Sequence, residues 1–242
     1  MQSRSKTPAF SVFMQEALKQ LESCTAANVT ALSLAAEQIA ARLHAGGRFF
    51  GFGCGHSGLV SQDAYYRAGG LKGYQHMFAP LVELSVEPVA QSSVEEKRSG
   101  WIDSHLESFR INENDCVIVI STSGVNAVPV EAALHCQSRG ALVIGITSTA
   151  ASSALDARHP SGKKLMDLSD FLLDNGSPYG DTLVDLGTSE HRMGSASTAV
   201  GCILLQSLNI AVQEAAIAAG SPLSTYVSGN IPGGMEKNQE GT

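Results

Sequence analysis

The sequence is poor in the features that mark several large classes of protein. Its five cysteines are scattered and form no C-x-x-C pair, so we expect reduced, mostly buried thiols rather than a disulfide framework or a zinc site. No basic patch stands out and the net charge is −7, which argues against nucleic acid and anionic membranes as partners. The longest apolar runs stop short of the roughly 20 residues that span a membrane, and the N-terminus lacks the apolar segment of a signal peptide. These absences predict a cytoplasmic protein.

What the sequence does contain is a regular alternation of strand and helix patterns. Two continuous apolar runs, 116–120 (CVIVI) and 141–147 (ALVIGIT), are typical of strands buried on both faces of a parallel sheet. Further strands are predicted over 48–53, 76–84 and 170–174, with helices between them. The pattern predicts an α/β fold: a three-layer αβα sandwich around a five-stranded, mostly parallel, doubly wound sheet of the flavodoxin-like kind.

The two ends of the chain differ from its centre. Residues 9–45 show apolar side chains at helical spacing and predict two helices before the first strand. We therefore expect a helical extension, 1–46, which packs on the core or on a partner subunit, followed by the α/β domain, 47–242. A long apolar helix is predicted over 190–219. The tail from Gly220 is rich in Gly, Ser, Asn and Pro and is expected to be irregular.

The first predicted strand leads into GCGHSG, residues 53–58, which fits the pattern G-x-G-x-x-G. Between a strand and a helix, this pattern is the fingerprint of a dinucleotide-binding turn. That interpretation also needs an acidic residue about 20 positions later for the ribose, and Glu83 or Glu87 meets this need. The alternative is that the loop holds some other phosphate.

The third predicted strand leads into a second polar loop, STSGVN, residues 121–126. Hydroxyls and backbone N–H groups at a helix N-terminus suit a phosphate, because the unpaired donors and the helix dipole both favour negative charge. The loop contains no lysine or arginine. Taken alone, such a turn usually only caps its helix. Two such loops at one edge of a parallel sheet can converge on a single ligand, which favours a phosphate monoester over a dinucleotide.

These motifs resemble the sugar isomerase (SIS) domain, a phosphosugar-binding fold of isomerases, etherases and sugar-sensing regulators. The resemblance covers about residues 30–215 and rests on GFGCGHSG, VIVISTSGVNAVPVEAALHCQSRGALVIGITS and GSASTAVG. The tail YVSGNIPGGMEKNQ is similar to a subgroup labelled as phosphosugar or phosphoheptose isomerases, of poorly defined function. The resemblance implies a homodimer or higher oligomer with sites near the subunit interfaces, and no cofactor. The phosphate-binding residues that it implies are Ser57, Ser121, Thr122, Ser123 and Asn126.

The better-known phosphoheptose isomerases carry a His and a Glu four residues apart on the first helix of the domain, as metal ligands or catalytic groups. In this sequence that spacing falls on Asp63 and Arg67. No H-E-x-x-H or other zinc spacing occurs in the sequence either. We therefore predict that the site holds no metal.

Aldose–ketose isomerisation needs a base that moves a proton between neighbouring carbons, and carboxylates and histidines are the usual bases. The candidate bases, with the first preferred, are Glu96, Glu95 and His191. The glutamates are equally consistent with an ordinary solvated charge run, and the histidine with a surface position at a helix terminus. The residues expected on the sugar side are His56, Gly55, Ser197 and Thr198.

The sequence thus favours a phosphosugar-binding protein, and first among its activities a cofactor-independent aldose–ketose isomerase acting on a sugar phosphate. An amino-sugar-phosphate lyase or etherase is an alternative, because the same fold and two glutamates could carry out that reaction. A non-catalytic phosphosugar sensor is a further and weaker alternative. An NAD-dependent enzyme ranks last.

Overall fold

The computed structural model describes residues 7–187 and 192–239. Its main sheet consists of β1 (Phe49–Gly53), β2 (Tyr74–His76), β3 (Cys116–Ile120), β4 (Leu142–Thr147) and β5 (Phe171–Asp174). Every neighbouring pair is parallel, and the strand order is β2-β1-β3-β4-β5. The continuous apolar runs form inner strands, because a strand covered on both faces has no solvent side. This architecture confirms the predicted doubly wound α/β fold.

Helices cover both faces of the sheet. They are α1 (Ala9–His44), α2 (His56–Ala64), α3 (Ala90–Glu95), α4 (Ile102–Leu106), α5 (Ala127–Ser138), α6 (Thr149–Ser153), α7 (Ser197–Ala218) and α8 (Gly234–Gln239). On one face α1, α2 and α7 form a core cluster with side chains of β1, β3 and β4. On the other face α4 and α5 form a second cluster with the alternate side chains of the same strands.

Two predicted elements in the first half of the chain were wrong in extent. The region 9–45 forms one continuous helix rather than two, because it contains no glycine or proline to interrupt it. The strand predicted over 76–84 is shorter and earlier. It ends at His76, and a 3₁₀ turn with proline at its first position follows (Pro80–Val82). Two further 3₁₀ turns cover Glu107–Phe109 and Leu165–Asp167.

The predictions for the last quarter of the chain also needed correction. The helix predicted over 190–219 begins only at Ser197. Before it, β6 (Val184–Asp185) and β7 (Arg192–Met193) pair as an antiparallel hairpin. Gly194, which has a φ of +80°, follows this hairpin and separates it from the helix. The tail expected to be irregular contains a short helix, α8.

The first helix is tied to the edge of the sheet through two buried polar side chains. Asn28 donates from Nδ2 to the carbonyl of Asp174 and accepts at Oδ1 from the N–H of the same residue, both at 2.8 Å. The Asn28 amide thus supplies hydrogen-bond partners for the backbone N–H and carbonyl of Asp174, at the free edge of β5. Gln20 donates to the carbonyl of Asn175 at 2.8 Å and to Ser177 Oγ at 3.0 Å. These bonds hold the segment that follows β5 against α1.

The last long helix, α7, has the length and composition of a membrane-spanning segment. In this fold it packs against α1 and α2, and its buried face includes Leu204, Leu205 and Leu208. A helix in the core of a folded domain passes the same test of length and hydropathy. Packing against α1 and α2 therefore accounts for the apolar character of the buried face of α7.

Candidate functional site

A cavity of about 570 Å³ opens at the carboxyl ends of the strands, where ligands bind in open α/β sheets. Both polar loops identified in the sequence line it. The other walls come from α3, from the connection between β4 and β5, from the segment after β5 and from the first turn of α7. The predicted site residues that line the cavity are Gly55, His56, Ser57, Glu96, Ser121, Thr122, Ser123, Asn126, Ser197 and Thr198.

The second loop, residues 121–126, turns sharply at Gly124. This residue has a φ of +64°, and a Cβ there would lie 2.7 Å from Thr147 Oγ1, so glycine alone fits without strain. The N–H of Gly124 donates to Ser121 Oγ at 3.2 Å and closes the turn. The carbonyl of Gly124 accepts from the N–H of Leu165 at 2.8 Å. The protein itself therefore holds this loop in shape.

The three hydroxyls of the second loop differ in what they bind. Ser121 Oγ closes the turn, and Thr122 Oγ1 accepts from Asn175 Nδ2 at 3.2 Å. The Ser123 hydroxyl makes no hydrogen bond to any described residue, nor do the backbone N–H groups of Ser123 and Asn126. The helix α5 begins after Asn126 without a side-chain cap. The interpretation of this loop as a mere helix cap was therefore wrong, and its free donors suit an anion.

The first loop lies where β1 and α2 approach each other most closely. A Cβ on Gly53 would lie 2.6 Å from the carbonyl of Ser57, which explains the first glycine of the motif. Gly55 has a φ of +55° and donates its N–H to the carbonyl of Val82 at 2.7 Å. Ser57 and His56 line the cavity, and their side chains make no hydrogen bond within the described part of the chain. Both side chains are therefore free to meet a ligand.

The acidic residues considered for a ribose do not line the cavity. Glu83 is buried, and its carboxylate accepts from Gln62 Nε2 at 2.6 Å and lies 3.3 Å from His76 Nε2. Burial alone would raise the pKa of Glu83, but the hydrogen bonds from His76, from the N–H of Ala79 and from Gln62 bring it below its ordinary value. Glu87 is also absent from the cavity wall. The geometry therefore offers no carboxylate for the ribose of a dinucleotide at either position.

Glu96 stands directly beside the second loop. Its carboxylate accepts from Asn126 Nδ2 at 2.9 Å, and its backbone carbonyl accepts from the N–H of Val128 at 3.0 Å. Burial raises the pKa of Glu96 above its ordinary value. The hydrogen bond from Asn126 and the charges of Lys97 and Arg158 oppose this rise without cancelling it. A half-buried carboxylate with a raised pKa in a cavity has the properties of a general base.

Glu95, the neighbouring candidate base, is not brought to the cavity. Its carboxylate accepts from Arg98 Nε and from Gln91 Nε2, each at 2.7 Å, and these bonds hold its pKa below the ordinary value. Two bonded partners and a lowered pKa make Glu95 a weaker base than Glu96. His191, the third candidate, lies outside the described residues and stays a prediction.

Two cations line the cavity although neither polar loop contains one. Arg158 Nη1 donates to Asn126 Oδ1 at 2.7 Å, and its backbone N–H donates to the carbonyl of Val125 at 3.1 Å. Lys97 lines the same cavity. Sequence reasoning missed both residues. The signal for Arg158 was the polar stretch DARHPSGKK (156–164), but its return to the second loop is a tertiary contact.

A third loop, the segment after β5, also contributes to the cavity and was missed. It supplies Asn175, Tyr179 and Asp181. The rule that pointed to the first two loops, polar residues directly after a strand, applies equally to DNGSPYGD (174–181). The Ser197 hydroxyl, predicted to face the sugar, donates to Asp181 Oδ2 at 2.6 Å. The Ser197 hydroxyl therefore helps to hold the Asp181 carboxylate in the cavity wall.

No group of metal-ligating side chains is found at the cavity in the described ranges. Of those residues, only Asp103, Glu107 and His135 cluster with suitable spacing, and none of the three lines the cavity. Their groups are already paired: His135 Nδ1 with Asp103 Oδ1 at 2.5 Å, and Glu107 with Arg139. Asp63 and Arg67, which occupy the metal-site spacing of the phosphoheptose isomerases, form an ion pair with each other.

Comparison with known proteins gives a family and a fold. The family model of the SIS domain matches residues 12–148, more than half of the chain. A UPF0309 protein of Oceanobacillus iheyensis is 34% identical over 209 residues, which are 86% of this chain and 85% of that protein. Phosphoheptose isomerase GmhA of Neisseria gonorrhoeae has a similar structure, with a TM-score of 0.58 at 16% identity, over 85% of this chain and 97% of that one.

A second solved structure shows the same fold. The NanR protein of Vibrio vulnificus, solved in complex with ManNAc-6P, is similar with a TM-score of 0.51 at 16% identity. The likeness covers 89% of this chain and 64% of NanR. At such identities the two solved structures establish the fold of the cavity-bearing domain.

Proposed function

The chain belongs to the SIS domain family and to the UPF0309 proteins, and from this premise we propose that it binds a sugar phosphate in the cavity and isomerises it between aldose and ketose forms. One observation carries the proposal. A loop with free phosphate donors and a carboxylate with a raised pKa meet in a single cavity. The loop would hold the group that takes no part in the reaction, and the carboxylate would move the proton.

We assign the phosphate to the second loop at the start of α5. The Ser123 hydroxyl and the unpaired N–H groups of the loop would donate to it, together with Ser57 from the first loop. Arg158, which already contacts Asn126, would add a charge-assisted bond. NanR was solved with a bound hexosamine phosphate and shares the fold, which supports a phosphate ligand for this cavity.

We assign the proton transfer to Glu96. Isomerisation removes a proton from the carbon beside the carbonyl and returns one to the carbon that held the carbonyl. Glu96 would take the first proton and deliver the second, while the substrate passes through an enediol. The cation Lys97 lines the same cavity and would stabilise the negative charge that develops on the substrate oxygens. Neither step requires a cofactor.

Two other activities fit the same cavity. A lyase or etherase acting on an amino-sugar phosphate would use the same base to remove the proton beside the carbonyl, while the C–O bond at the next carbon breaks and its oxygen substituent leaves. The reaction would therefore give a second product, the released hydroxyl compound, rather than an isomer. A non-catalytic sensor would only bind the sugar phosphate, as NanR, which has the same fold, does in its complex with ManNAc-6P. The chemistry of Glu96 favours an enzyme over a sensor, because simple binding does not need a carboxylate with a raised pKa.

We further propose that the protein is cytoplasmic and forms a homodimer or a higher oligomer. Four of the five free cysteines are buried, which fits a reducing compartment. Large apolar side chains remain exposed along one side of α1 and one side of α7. They are Phe10, Met14 and Leu18, and Ile203, Ile210 and Ile217. Exposed apolar faces of this kind are usually covered by a partner.

Sugar phosphates are expected to raise the melting temperature, whereas the free sugars and NAD are not, because affinity comes from the phosphate. The measurement is a thermal-shift screen with inorganic phosphate, glucose 6-phosphate, fructose 6-phosphate, glucosamine 6-phosphate and N-acetylmannosamine 6-phosphate. Equal shifts with NAD or with the unphosphorylated sugars would contradict the proposal. Product analysis of each hit by NMR then separates isomerase, lyase and sensor.

Asn126→Ala is expected to move the acid limb of kcat/KM to higher pH. The Asn126 amide hydrogen-bonds the ionised form of Glu96 and opposes the rise of its pKa. Without this bond the pKa rises further, so the active carboxylate forms only at higher pH. A pH–rate profile measures the limb. Ser123→Ala is the control: it should weaken binding about tenfold and leave the limb in place. An unmoved limb in Asn126→Ala would show that Glu96 is not the titrating base.

A further inference from the structure

We propose that Asp181 reads the sugar end of the ligand, by accepting a hydrogen bond from a hydroxyl or amino group of the sugar. This inference rests on the proposed function and names a specificity-determining residue within it. Asp181 lies in the third loop of the cavity wall, after β5, where sequence analysis expected no functional residue. Its role follows from three features: its backbone, its carboxylate and its place in the wall of the cavity that the donor-rich loops also line.

The backbone at Asp181 is held in an uncommon conformation. The N–H of Asp181 donates to the carbonyl of Pro178 at 2.9 Å and closes a tight turn. Gly180 and Asp181 both have positive φ, +84° and +51°. A residue other than glycine adopts this region at a cost, and such residues concentrate at ligand-binding sites. Asp and Asn tolerate it best among the side-chain-bearing residues. The turn therefore presents a short polar side chain at a fixed place.

One of the two oxygens of the Asp181 carboxylate accepts hydrogen bonds from the protein, and the other does not. Its Oδ2 accepts from Ser195 Oγ and from Ser197 Oγ, both at 2.6 Å. These serines lie at the start of α7, where the helix dipole favours a negative charge. Its Oδ1 is buried and has no hydrogen-bond partner among residues 7–187 and 192–239, and no cation in these ranges pairs with the carboxylate. A buried acceptor left without a partner is costly. A donor on a ligand in the cavity would satisfy it.

The chemistry of the cavity fixes which end of a sugar phosphate meets Asp181. The second loop and Arg158 offer donors and a positive charge, whereas the carboxylate of Asp181 offers acceptor oxygens. A phosphate carries acceptors and negative charge, so it is repelled by Asp181 and attracted by the loop. Hydroxyl and ammonium groups are donors and fit the aspartate. Asp181 therefore favours ligands that carry such a donor on the part remote from the phosphate.

The test compares Asp181→Asn with wild type by calorimetry, using inorganic phosphate and the tightest-binding sugar phosphate of the thermal-shift panel. Asparagine keeps the shape, tolerates the positive φ and still accepts from the serines, but it replaces one acceptor oxygen by a donor. We expect about tenfold weaker binding of the sugar phosphate and unchanged binding of inorganic phosphate. Asp181→Gly, which adopts the same φ without strain, should lose a similar factor. The matched control is Asp185→Asn, an exposed aspartate after the same strand, which should bind both ligands as wild type does.

The outcomes separate this inference from the proposed function. Equal losses for inorganic phosphate and sugar phosphate, or no loss for either, would overturn the role of Asp181 while leaving phosphosugar binding intact. A wild-type protein that binds neither inorganic phosphate nor any sugar phosphate of the panel would overturn both. A larger loss for glucosamine 6-phosphate than for glucose 6-phosphate would identify an ammonium as the donor. Equal losses for these two sugars would identify a hydroxyl.

Discussion

Glu96→Gln is expected to lower kcat by about 10²–10⁴-fold, the usual contribution of a general base to the rate. Its affinity for sugar phosphate should stay within about threefold of the wild-type value. Glutamine has the same shape, and its carbonyl can still accept from Asn126 Nδ2, as the carboxylate does at 2.9 Å. What it lacks is the ability to take a proton. The measurement pairs steady-state turnover with calorimetric binding of the same sugar phosphate.

The neighbouring glutamate provides the control for this variant. Glu95→Gln makes the same chemical change one residue away. The Glu95 side chain is hydrogen-bonded to Arg98 and does not line the cavity. We expect nearly wild-type turnover from it. If Glu95→Gln loses activity and Glu96→Gln keeps it, the assignment of the base is reversed. If neither variant loses turnover, the base is another residue, and His191 becomes the first candidate.

Gly124→Ala is expected to lower the free energy of unfolding by about 3 kcal/mol and the melting temperature by about 6–12 °C. A Cβ at this position would lie 2.7 Å from Thr147 Oγ1 and 3.2 Å from Ser152 Oγ, in a backbone with a φ of +64°. Relief of this clash would shift the turn that presents Ser123. The stabilisation by sugar phosphate in thermal shift should therefore disappear as well.

A second glycine separates the two causes of the lower stability, which are the clash of the new Cβ and the strain of the positive φ. Gly162 has a φ of +70°, but a Cβ there would meet nothing within 4 Å. Gly162→Ala carries only the backbone penalty of about 1–2 kcal/mol and should keep its response to sugar phosphate. If the two variants are equally stable and both respond to ligand, the tight fit around Gly124 does not shape the loop.

The sheet was predictable because its inner strands form recognisable apolar runs in the sequence. Cys116–Ile120 and Leu142–Thr147 are continuous apolar runs, and only a strand covered on both faces requires that pattern. The short edge strand Tyr74–His76 was misplaced, since three residues show no periodicity. The start of α7 was misplaced because the two strands before it, Val184–Asp185 and Arg192–Met193, have only two residues each.

The candidate site was predictable where its residues belong to one continuous motif. Ser121–Asn126 and Gly53–Gly58 each carry glycines and polar residues directly after a strand, so the rule for parallel sheets places them at one edge. Arg158 carries no such local pattern, and the polar stretch after β5 that contains Asp181 follows the same rule but was overlooked. Arg158 reaches the site by bonding Asn126 Oδ1, and Asp181 through serines that follow it by fourteen and sixteen positions.

By itself, the sequence determined the fold class and the two polar loops, because the apolar pattern of a buried strand and the glycines of a tight turn lie within a few neighbouring residues of the chain. The tertiary structure decided which groups those loops would face. Glu96 and Glu95 are adjacent and chemically identical, yet burial beside Asn126 raises the pKa of one and Arg98 lowers that of the other. Desolvation and the nearest charge set the pKa of a carboxyl, and both depend on residues brought close only by folding.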